Sequence, residues 1–184
     1  MKWAFEPGHT AAEFRARHMM VTWVRGHFKN VQGTMELDLN DPSRASVKVV
    51  IDASLLWTGE PDRDAHLKSA DFLDVAHHPQ ILFQSTGVEQ VGGNQFKLAG
   101  NLTIRGVTRP VTLDVTYNGE WLTPYWEDGV DKGPVPRVGF HATTCINRQD
   151  FGASWNSVLD RGGLVVGNDV WIEIDAEALS GIPR

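Results

Sequence analysis

The stretch that decides the fold runs from residue 81 to residue 117 and reads ILFQSTGVEQVGGNQFKLAGNLTIRGVTRPVTLDVTY. Apolar and polar residues alternate through most of it with a period of two, which places successive side chains on opposite faces of a strand. The apolar positions are Phe96, Leu98, Gly100, Leu102 and Ile104, then Val111, Leu113, Val115 and Tyr117. The Gly92-Gly93-Asn94 run is typical of a hairpin turn, and Asn118-Gly119 is interpreted as the end of the last strand. The stretch therefore predicts neighbouring strands with one apolar face each.

The same alternation recurs on both sides of this stretch. It is found at Glu13–His18, Thr34–Leu39, Val47–Ile51, Val138–Ile146 and Val170–Ile174. Together these runs predict about eight strands, and a strongly twisted sheet of that size tends to close on itself. At 184 residues the chain is predicted to be all-β, with a single antiparallel extended β-barrel over residues 1–184.

Two segments depart from the alternation. Pro61–Leu73 is predicted to be a short helix with Asp62 as its N-cap, lying across a barrel mouth with Leu67 and Phe72 on its apolar side. Leu122–Pro136 contains three prolines and no period, and is predicted to be a long loop.

Composition excludes several functional classes. A net charge of −6 and a pI near 5.6 disfavour nucleic-acid binding. The single cysteine, Cys145, rules out an intramolecular disulfide, and alternation places it on the strand face opposite Phe140, Ala142 and Ile146, where a structural thiol is expected. No apolar run approaches the roughly 18 residues of a membrane-spanning helix, so we expect a protein that is not integral to a membrane.

The N-terminus has no long apolar stretch and no small-residue cleavage site within its first nine residues. A cytoplasmic location is therefore the expectation for the sequence as written, and a periplasmic or secreted location is the alternative if a leader has been removed.

Two motifs resemble those of a known family. Residues 63–74 read RDAHLKSADFLD and residues 100–111 read GNLTIRGVTRPV, and both resemble motifs of the YceI-like family. Supporting matches are His9-Thr10, Phe14–His18, Gly26–Phe28, Thr58-Gly59, Pro79–Thr86 and Arg148–Gly152. The resemblance spans nearly the whole chain.

The resemblance implies a lipocalin-like barrel that binds polyisoprenoid chains, such as prenyl diphosphates or isoprenoid quinones, or other long-chain lipids. It also implies a bacterial, often secreted, protein and a homodimer. The sequence departs from the family pattern in its missing leader, in Thr10 where serine is usual, and in the segment Leu122–Pro136.

A lipid-filled interior predicts which residues line it. The expected lining residues are Phe14, Phe83, Leu98, Gly100, Leu102, Leu113, Phe140, Ala142 and Trp155. Gly100, in mid-strand, is expected to leave space for the lipid, so that a bulky residue there reduces lipid occupancy more than stability. Tryptophan can line a lipid tunnel, and the alternative for most of the seven is ordinary packing in the core or at the mouth.

A polar end of the tunnel is expected to hold the head group. Arg63 and His66 are three residues apart on the predicted helix and can face the same way, and His18 is a third candidate. The alternative is that Arg63 pairs with a carboxylate and only pins the helix to the barrel. The carboxylates considered for that pair are Asp64, Asp71 and Asp150.

Metal and catalytic chemistry find little support in the residue spacing. The histidines at 9, 18, 27, 66 and 141 could converge, yet no His-x-His or Glu-flanked helical spacing is present, and His77-His78 before Pro79 is typical of an exposed turn. No nucleophile elbow or phosphate-binding loop is found, and we expect no metal and no cofactor. A lipid-binding or carrier protein is the favoured prediction. An enzyme acting on isoprenoids or quinones and a stress-related interaction protein with a filled core remain open.

Overall fold

A computed structural model of the chain describes residues 1–181. It contains ten strands, all in one antiparallel sheet. The strands are β1 (Lys2–Phe5), β2 (Ala11–His18), β3 (Thr22–Phe28), β4 (Gln32–Glu36), β5 (Ser46–Asp52), β6 (Gln80–Gly92), β7 (Gln95–Ile104), β8 (Val107–Glu127), β9 (Val130–Asn147) and β10 (Val166–Ser180). One α-helix, α1, spans Pro61–Lys68, and four short 3-10 helices lie at Pro42–Arg44, Ala53–Leu55, Arg148–Phe151 and Asp160–Gly162. The all-β antiparallel fold is confirmed; residues 182–184 of the predicted domain lie outside the described residues.

Eight of the ten strands close the barrel. The sheet runs β1-β4-β5-β6-β7-β8-β9-β10, and β1 also pairs with β10, which completes the ring. The first two-thirds of β10, from Val166 to Asp175, pairs on that edge with β2, and the β2–β3 hairpin extends the wall beside it. The predicted count of eight is therefore confirmed, although the alternation missed β1 and β3 and assigned β2 to the ring.

Helix α1 is shorter than predicted. It ends at Lys68, and its N-cap is Glu60, whose carboxylate accepts hydrogen bonds from the backbone N–H groups of Asp62 and Arg63. The assignment of Asp62 as the cap was therefore wrong by two residues, because a glutamate side chain reaches the first-turn amides from that position. The turn after the helix is held by Arg105, which donates to the carbonyl oxygens of Ala70 and Phe72 at 2.5 and 2.8 Å. We call this end of the barrel the helix end.

The predicted loop Leu122–Pro136 is wrong, because this segment forms a two-stranded ribbon. Strand β8 continues past Asn118-Gly119, which forms a bulge rather than a strand end, and pairs with β9 as far as Glu127. Asp128 and Gly129 close the hairpin with φ of 52° and 77°, as a two-residue turn with left-handed positions requires. Prolines are tolerated here because the ribbon projects beyond β7 and β10, so within residues 1–181 both of its outer edges lack a partner strand. The opposite end of the barrel is the ribbon end.

Three glycines in the wall are covered by phenylalanine rings from the neighbouring strand. Phe14 lies on Gly26, Phe5 on Gly33 and Phe83 on Gly100, and a Cβ at any of these glycines would collide with the ring. A missing side chain in a strand permits this close approach and the tight curvature of a small barrel.

Two clusters of buried side chains form the solid parts of the interior. One lies towards the ribbon end and contains Trp3, Phe5, Met35, Leu37, Val47, Val138 and Ala178. The other lies towards the helix end and contains Phe28, Ala53, Leu56 and Ile81, with Leu67 and Leu73 packed against it. Residues of both clusters also line the cavity of the barrel interior.

Candidate functional site

A cavity of about 360 Å³ occupies the barrel interior. Along β10 its wall runs from Val166 to Ala176, which corresponds to roughly 33 Å along the strand and about 25 Å along the axis of a tilted barrel. It reaches from Phe151 and Phe72 at the helix end to Leu39 at the ribbon end. The site is therefore a long tube rather than a compact pocket.

The cavity wall is apolar almost throughout. Its polar residues are Thr10, Glu13, Tyr117, Thr144 and Arg148, and of these Glu13 carries its exposed side chain on the outer face of β2. The hydroxyls of Thr10 and Thr144 donate to backbone carbonyls of the barrel, and burial raises the pKa of the Tyr117 phenol, with Glu120 adding to the effect. The wall therefore offers apolar contact and few free hydrogen-bonding groups.

An unfilled cavity of this size would be a large defect in an ordinary core. At roughly 24 cal/mol per Å³, leaving it empty costs on the order of 9 kcal/mol, which is comparable to the whole stability of a typical domain. Apolar cavities of this kind bind apolar molecules in preference to water. The interior is consequently built to accept an apolar ligand.

Most of the predicted lining residues lie in the cavity wall. These are Phe14, Phe83, Leu98, Leu102, Leu113, Phe140 and Ala142. Trp155 does not line it; its ring lies behind Phe72, 5.6 Å away between centroids, and contacts His66. Among the seven tryptophans Trp3 is in the core, and four are exposed: Trp57, Trp121, Trp126 and Trp171.

Gly100 does not leave space for a lipid, contrary to the prediction, because the ring of Phe83 fills the space above it. A Cβ at Gly100 would lie 2.5 Å from Cε2 of Phe83 and 2.8 Å from the carbonyl oxygen of Gln84. We expect Gly100→Ala to lower the free energy of unfolding by roughly 1–3 kcal/mol, since backbone and ring must both shift. Gly87→Ala is the matched control, because a Cβ there meets no atom within 4 Å. Equal stability of the two variants in urea denaturation would contradict this reading.

The head-group candidates lie outside the cavity wall. Arg63 donates from Nε to Thr58 Oγ1 at 2.7 Å and from Nη2 to the Thr58 carbonyl at 3.0 Å. Asp64, which is buried, accepts from the Thr58 amide and hydroxyl. Arg63 thus ties the helix to Thr58, and the carboxylate partners considered for it were wrong, since a backbone carbonyl and a hydroxyl occupy its donors.

The other two head-group candidates, His66 and His18, have different neighbours from those of Arg63. His66 contacts the Asp71 carboxylate at 2.9 Å and packs edge-on against Phe72 and Trp155. His18 ends β2 at the helix end, paired with Val166. A role for Arg63, His66 or His18 in holding a head group stays a prediction.

Arg148 is a charged residue of the wall that the sequence analysis did not propose as a site residue. It is buried, and its guanidinium donates to four backbone carbonyls, those of Gly167 at 2.9 Å, Trp155 at 2.9 Å, Val166 at 3.2 Å and Ala153. Burial lowers the pKa of this guanidinium from its ordinary value. Its Cζ lies 5.7 Å from the centroid of the Phe72 ring. Arg148 therefore ties together the loops that floor the cavity at the helix end.

The structure also shows how the potential metal ligands are arranged. Within residues 1–181 no group of three histidine, cysteine, aspartate or glutamate residues is arranged to hold a metal ion.

Cys145 is exposed on the outer face, opposite Phe140, Ala142 and Ile146 in the cavity wall, which confirms the predicted strand face. Partial burial, assisted by Asp169, raises the pKa of its thiol. In the described part of the chain no helix is long and apolar enough to cross a membrane.

The ring of eight strands and its tubular apolar cavity define a class of protein, the closed antiparallel β-barrels that enclose a ligand-sized space. Within this class the chain belongs to the YceI-like family, whose domain matches residues 3–178.

Relatives and solved structures agree with this assignment. A UPF0312 protein of Pseudomonas putida is 35% identical over 147 residues, which cover 80% of this chain and 72% of the relative. A UPF0312 protein of Pectobacterium atrosepticum is 38% identical over 146 residues, covering 79% and 71%. The Campylobacter jejuni YceI protein superposes with a TM-score of 0.72 at 25% identity, over 90% of both chains.

Two more distant structures share the fold. Burkholderia cenocepacia BcnA superposes with a TM-score of 0.77 at 21% identity, over 94% of this chain and 98% of its own. A polyisoprenoid-binding domain from Saccharophagus degradans gives 0.63 at 12% identity, over 96% and 97%.

Proposed function

We propose that this protein binds a long-chain apolar lipid of the polyisoprenoid class inside its barrel, as a carrier or store. The observation that carries the proposal is the cavity of about 360 Å³, drawn out along the barrel and lined almost entirely by apolar side chains. The Saccharophagus domain of the same fold, described as polyisoprenoid-binding, supports the choice of ligand class.

The affinity arises from the length of the chain. Each methylene removed from water contributes about 0.8 kcal/mol, so ten such groups contribute about 8 kcal/mol. The wall hydroxyls of Thr10 and Thr144 already donate to the protein, so they add little selectivity. The cavity therefore selects ligands by length and cross-section, and the head group lies at a mouth.

We also propose binding without turnover, and the arrangement of the cavity wall supports this choice. Chemistry on a bound lipid needs an acid, base or nucleophile directed at the reacting carbon. Arg148 is the cation of the wall, and its hydrogen bonds go to backbone carbonyls. The YceI-like assignment supports the same choice of a binding protein.

Organic extraction of the purified protein, followed by mass spectrometry, tests the proposal. A native mass spectrum of the same preparation counts the ligand bound per chain. We expect one polyisoprenoid, isoprenoid quinone or prenyl diphosphate per chain, released chemically unchanged. An empty extract, together with no uptake of an added polyprenol, would refute lipid binding, and a changed mass after incubation would support an enzyme.

A further inference from the structure

We propose that the helix end of the barrel docks on an anionic lipid bilayer through a surface formed by β2, β3 and β10. This docking surface consists of the arginines Arg15, Arg17 and Arg25, the tryptophans Trp23 and Trp171, and an apolar tip of Met19, Met20, Val21 and Val158. It lies outside the cavity and does not depend on what the cavity holds.

The arginines form a basic patch on a chain of net charge −6. Arg15 lies directly opposite Arg25 in the β2–β3 ladder, and Arg17 lies opposite Trp23. In the described structure, residues 1–181, none of the three has a carboxylate within 4.0 Å. Like charges directly opposite each other destabilise a sheet, so an anionic partner is the physical reason to keep them together.

The tryptophans belong to the same patch. Arg15 Cζ lies 5.0 Å from the centroid of the Trp23 ring and 5.9 Å from that of Trp171, and Arg17 Cζ lies 4.4 Å from that of Trp23. Tryptophan and arginine are the side chains that settle at the headgroup level of a bilayer, where an apolar body and a polar edge are both satisfied.

The apolar tip lies just beyond the patch. Met20 is 59% exposed, Val21 80% and Val158 74%, and the two loops that carry them are joined by a hydrogen bond from the Met19 amide to the Val165 carbonyl at 2.7 Å. Met19 and Met20 have φ of 48° and 61°, positions that turns ordinarily give to glycine or asparagine. Apolar side chains at such positions gain nothing from the fold, and they gain from burial in acyl chains.

The charges along the strands set the orientation. One cross-strand pair further from the tip, the outer face carries Glu13 and Glu173. Asp160 near Val158 and Asp169 on β10 are also exposed in this region, so the tip is predominantly apolar and the patch behind it predominantly basic. The surface beyond the patch is acidic, which gives the order in which a bilayer presents acyl chains, anionic phosphates and bulk solvent. A nucleic acid fits this order of surface zones poorly, because the apolar tip has no counterpart on a phosphate backbone.

Cosedimentation with vesicles tests the proposal. The probes are vesicles of phosphatidylcholine alone and of an equal mixture of phosphatidylcholine and phosphatidylglycerol. We expect the protein to bind the mixed vesicles. The triple variant Arg15→Gln, Arg17→Gln, Arg25→Gln should bind them on the order of a hundredfold more weakly, since each basic residue near the surface contributes roughly a fivefold factor. Salt of about 1 M should weaken wild-type binding towards that of the triple variant.

The matched control changes net charge equally at other exposed positions, as Arg44→Gln, Lys48→Gln, Arg109→Gln. It should bind the mixed vesicles nearly as well as the wild type. Equal loss in both triple variants, or equal wild-type binding to the two vesicle types, would overturn the proposal. So would a patch variant that alters the oligomeric state in analytical ultracentrifugation and leaves vesicle binding unchanged, since a second copy would then be the occupant.

A second variant keeps the proposal testable if the arginine triple variant fails to fold. Met19→Ser, Met20→Ser, Val21→Ser leaves the arginines in place and should weaken vesicle binding roughly tenfold. Fluorescence of Trp23 and Trp171 should shift to the blue when wild-type protein binds mixed vesicles. Unchanged binding of the tip variant would show that the tip does not enter the bilayer and would contradict the proposal.

Discussion

Ala142→Trp is expected to leave purification with its barrel empty of lipid, with occupancy reduced at least about tenfold. Ala142 lies in the middle of β9, level with Val115 on β8 and Ile174 on β10, and all three line the cavity. An indole ring at this point would block the tube across its width. Native mass spectrometry of wild type and variant, prepared side by side, measures the ratio of lipid to protein.

The same substitution separates a cavity from a filled core. Overpacking a filled core lowers the free energy of unfolding by roughly 1–3 kcal/mol, whereas filling an apolar cavity restores contacts and leaves stability equal or higher. The proper comparison is with lipid-stripped wild type, because bound ligand stabilises the folded state. Thr143→Trp, one residue along and on the outer face, is the matched control and should retain its lipid. A variant that is strongly destabilised and still carries lipid would show that the ligand lies elsewhere.

The local pattern of the sequence was enough to predict the wall of the barrel. Alternation depends only on neighbouring residues, so it identifies which side chains face inwards without any knowledge of the strand order. Leu98, Leu102 and Phe140 were predicted in this way, and all three line the cavity. The same rule placed Cys145 on the outer face.

The ribbon could have been predicted by a different local signal. The prolines of residues 122–136 dominated the interpretation, whereas the Asp128-Gly129 pair is a strong two-residue turn signal between two strands. Prolines exclude a central strand, yet they do not exclude a strand with free edges, and the sequence does not show where neighbouring strands end.

The alternation of apolar and polar residues could not predict the contacts made by long side chains or by residues in irregular loops. Arg63 contacts Thr58 and not a carboxylate, and Trp155 lies behind Phe72 and outside the wall. A guanidinium can reach partners in several directions, and a loop has no period that reports its inner face. Arg148 belongs to a motif that resembles the family, and nothing in its neighbours shows that it is buried.

Arg148→Met is expected to produce the largest loss of stability of any single substitution considered for this chain. The thioether retains much of the stem that packs near Phe72 and removes every donor of the guanidinium. Four backbone carbonyls, at Ala153, Trp155, Val166 and Gly167, then lose a charged hydrogen-bond donor. Hydrogen bonds to charged groups contribute roughly 1.5–3 kcal/mol each, and partial hydration of the freed carbonyls reduces the sum, so we expect a loss of about 3–5 kcal/mol. For a domain of this size that corresponds to a fall in Tm of roughly 10–15 °C.

Variants that keep different parts of the guanidinium should lose different amounts of stability. Arg148→Lys keeps the charge and three donors but not the planar fork, and should recover part of the stability. Arg109→Met is the control. Arg109 is exposed, and its guanidinium donates to the carbonyl of its neighbour Thr108, so the effect of the substitution should stay within about 0.5 kcal/mol. Urea denaturation of lipid-stripped protein measures all three. If Arg148→Met and Arg109→Met unfold at the same urea concentration, the loops that floor the cavity are held by their apolar contacts, chiefly Phe72 and Phe151, and the guanidinium network is dispensable. A large loss confined to Arg148→Met instead identifies a buried cation, stabilised by four carbonyl dipoles and the Phe72 ring, as the closure of the barrel at the helix end.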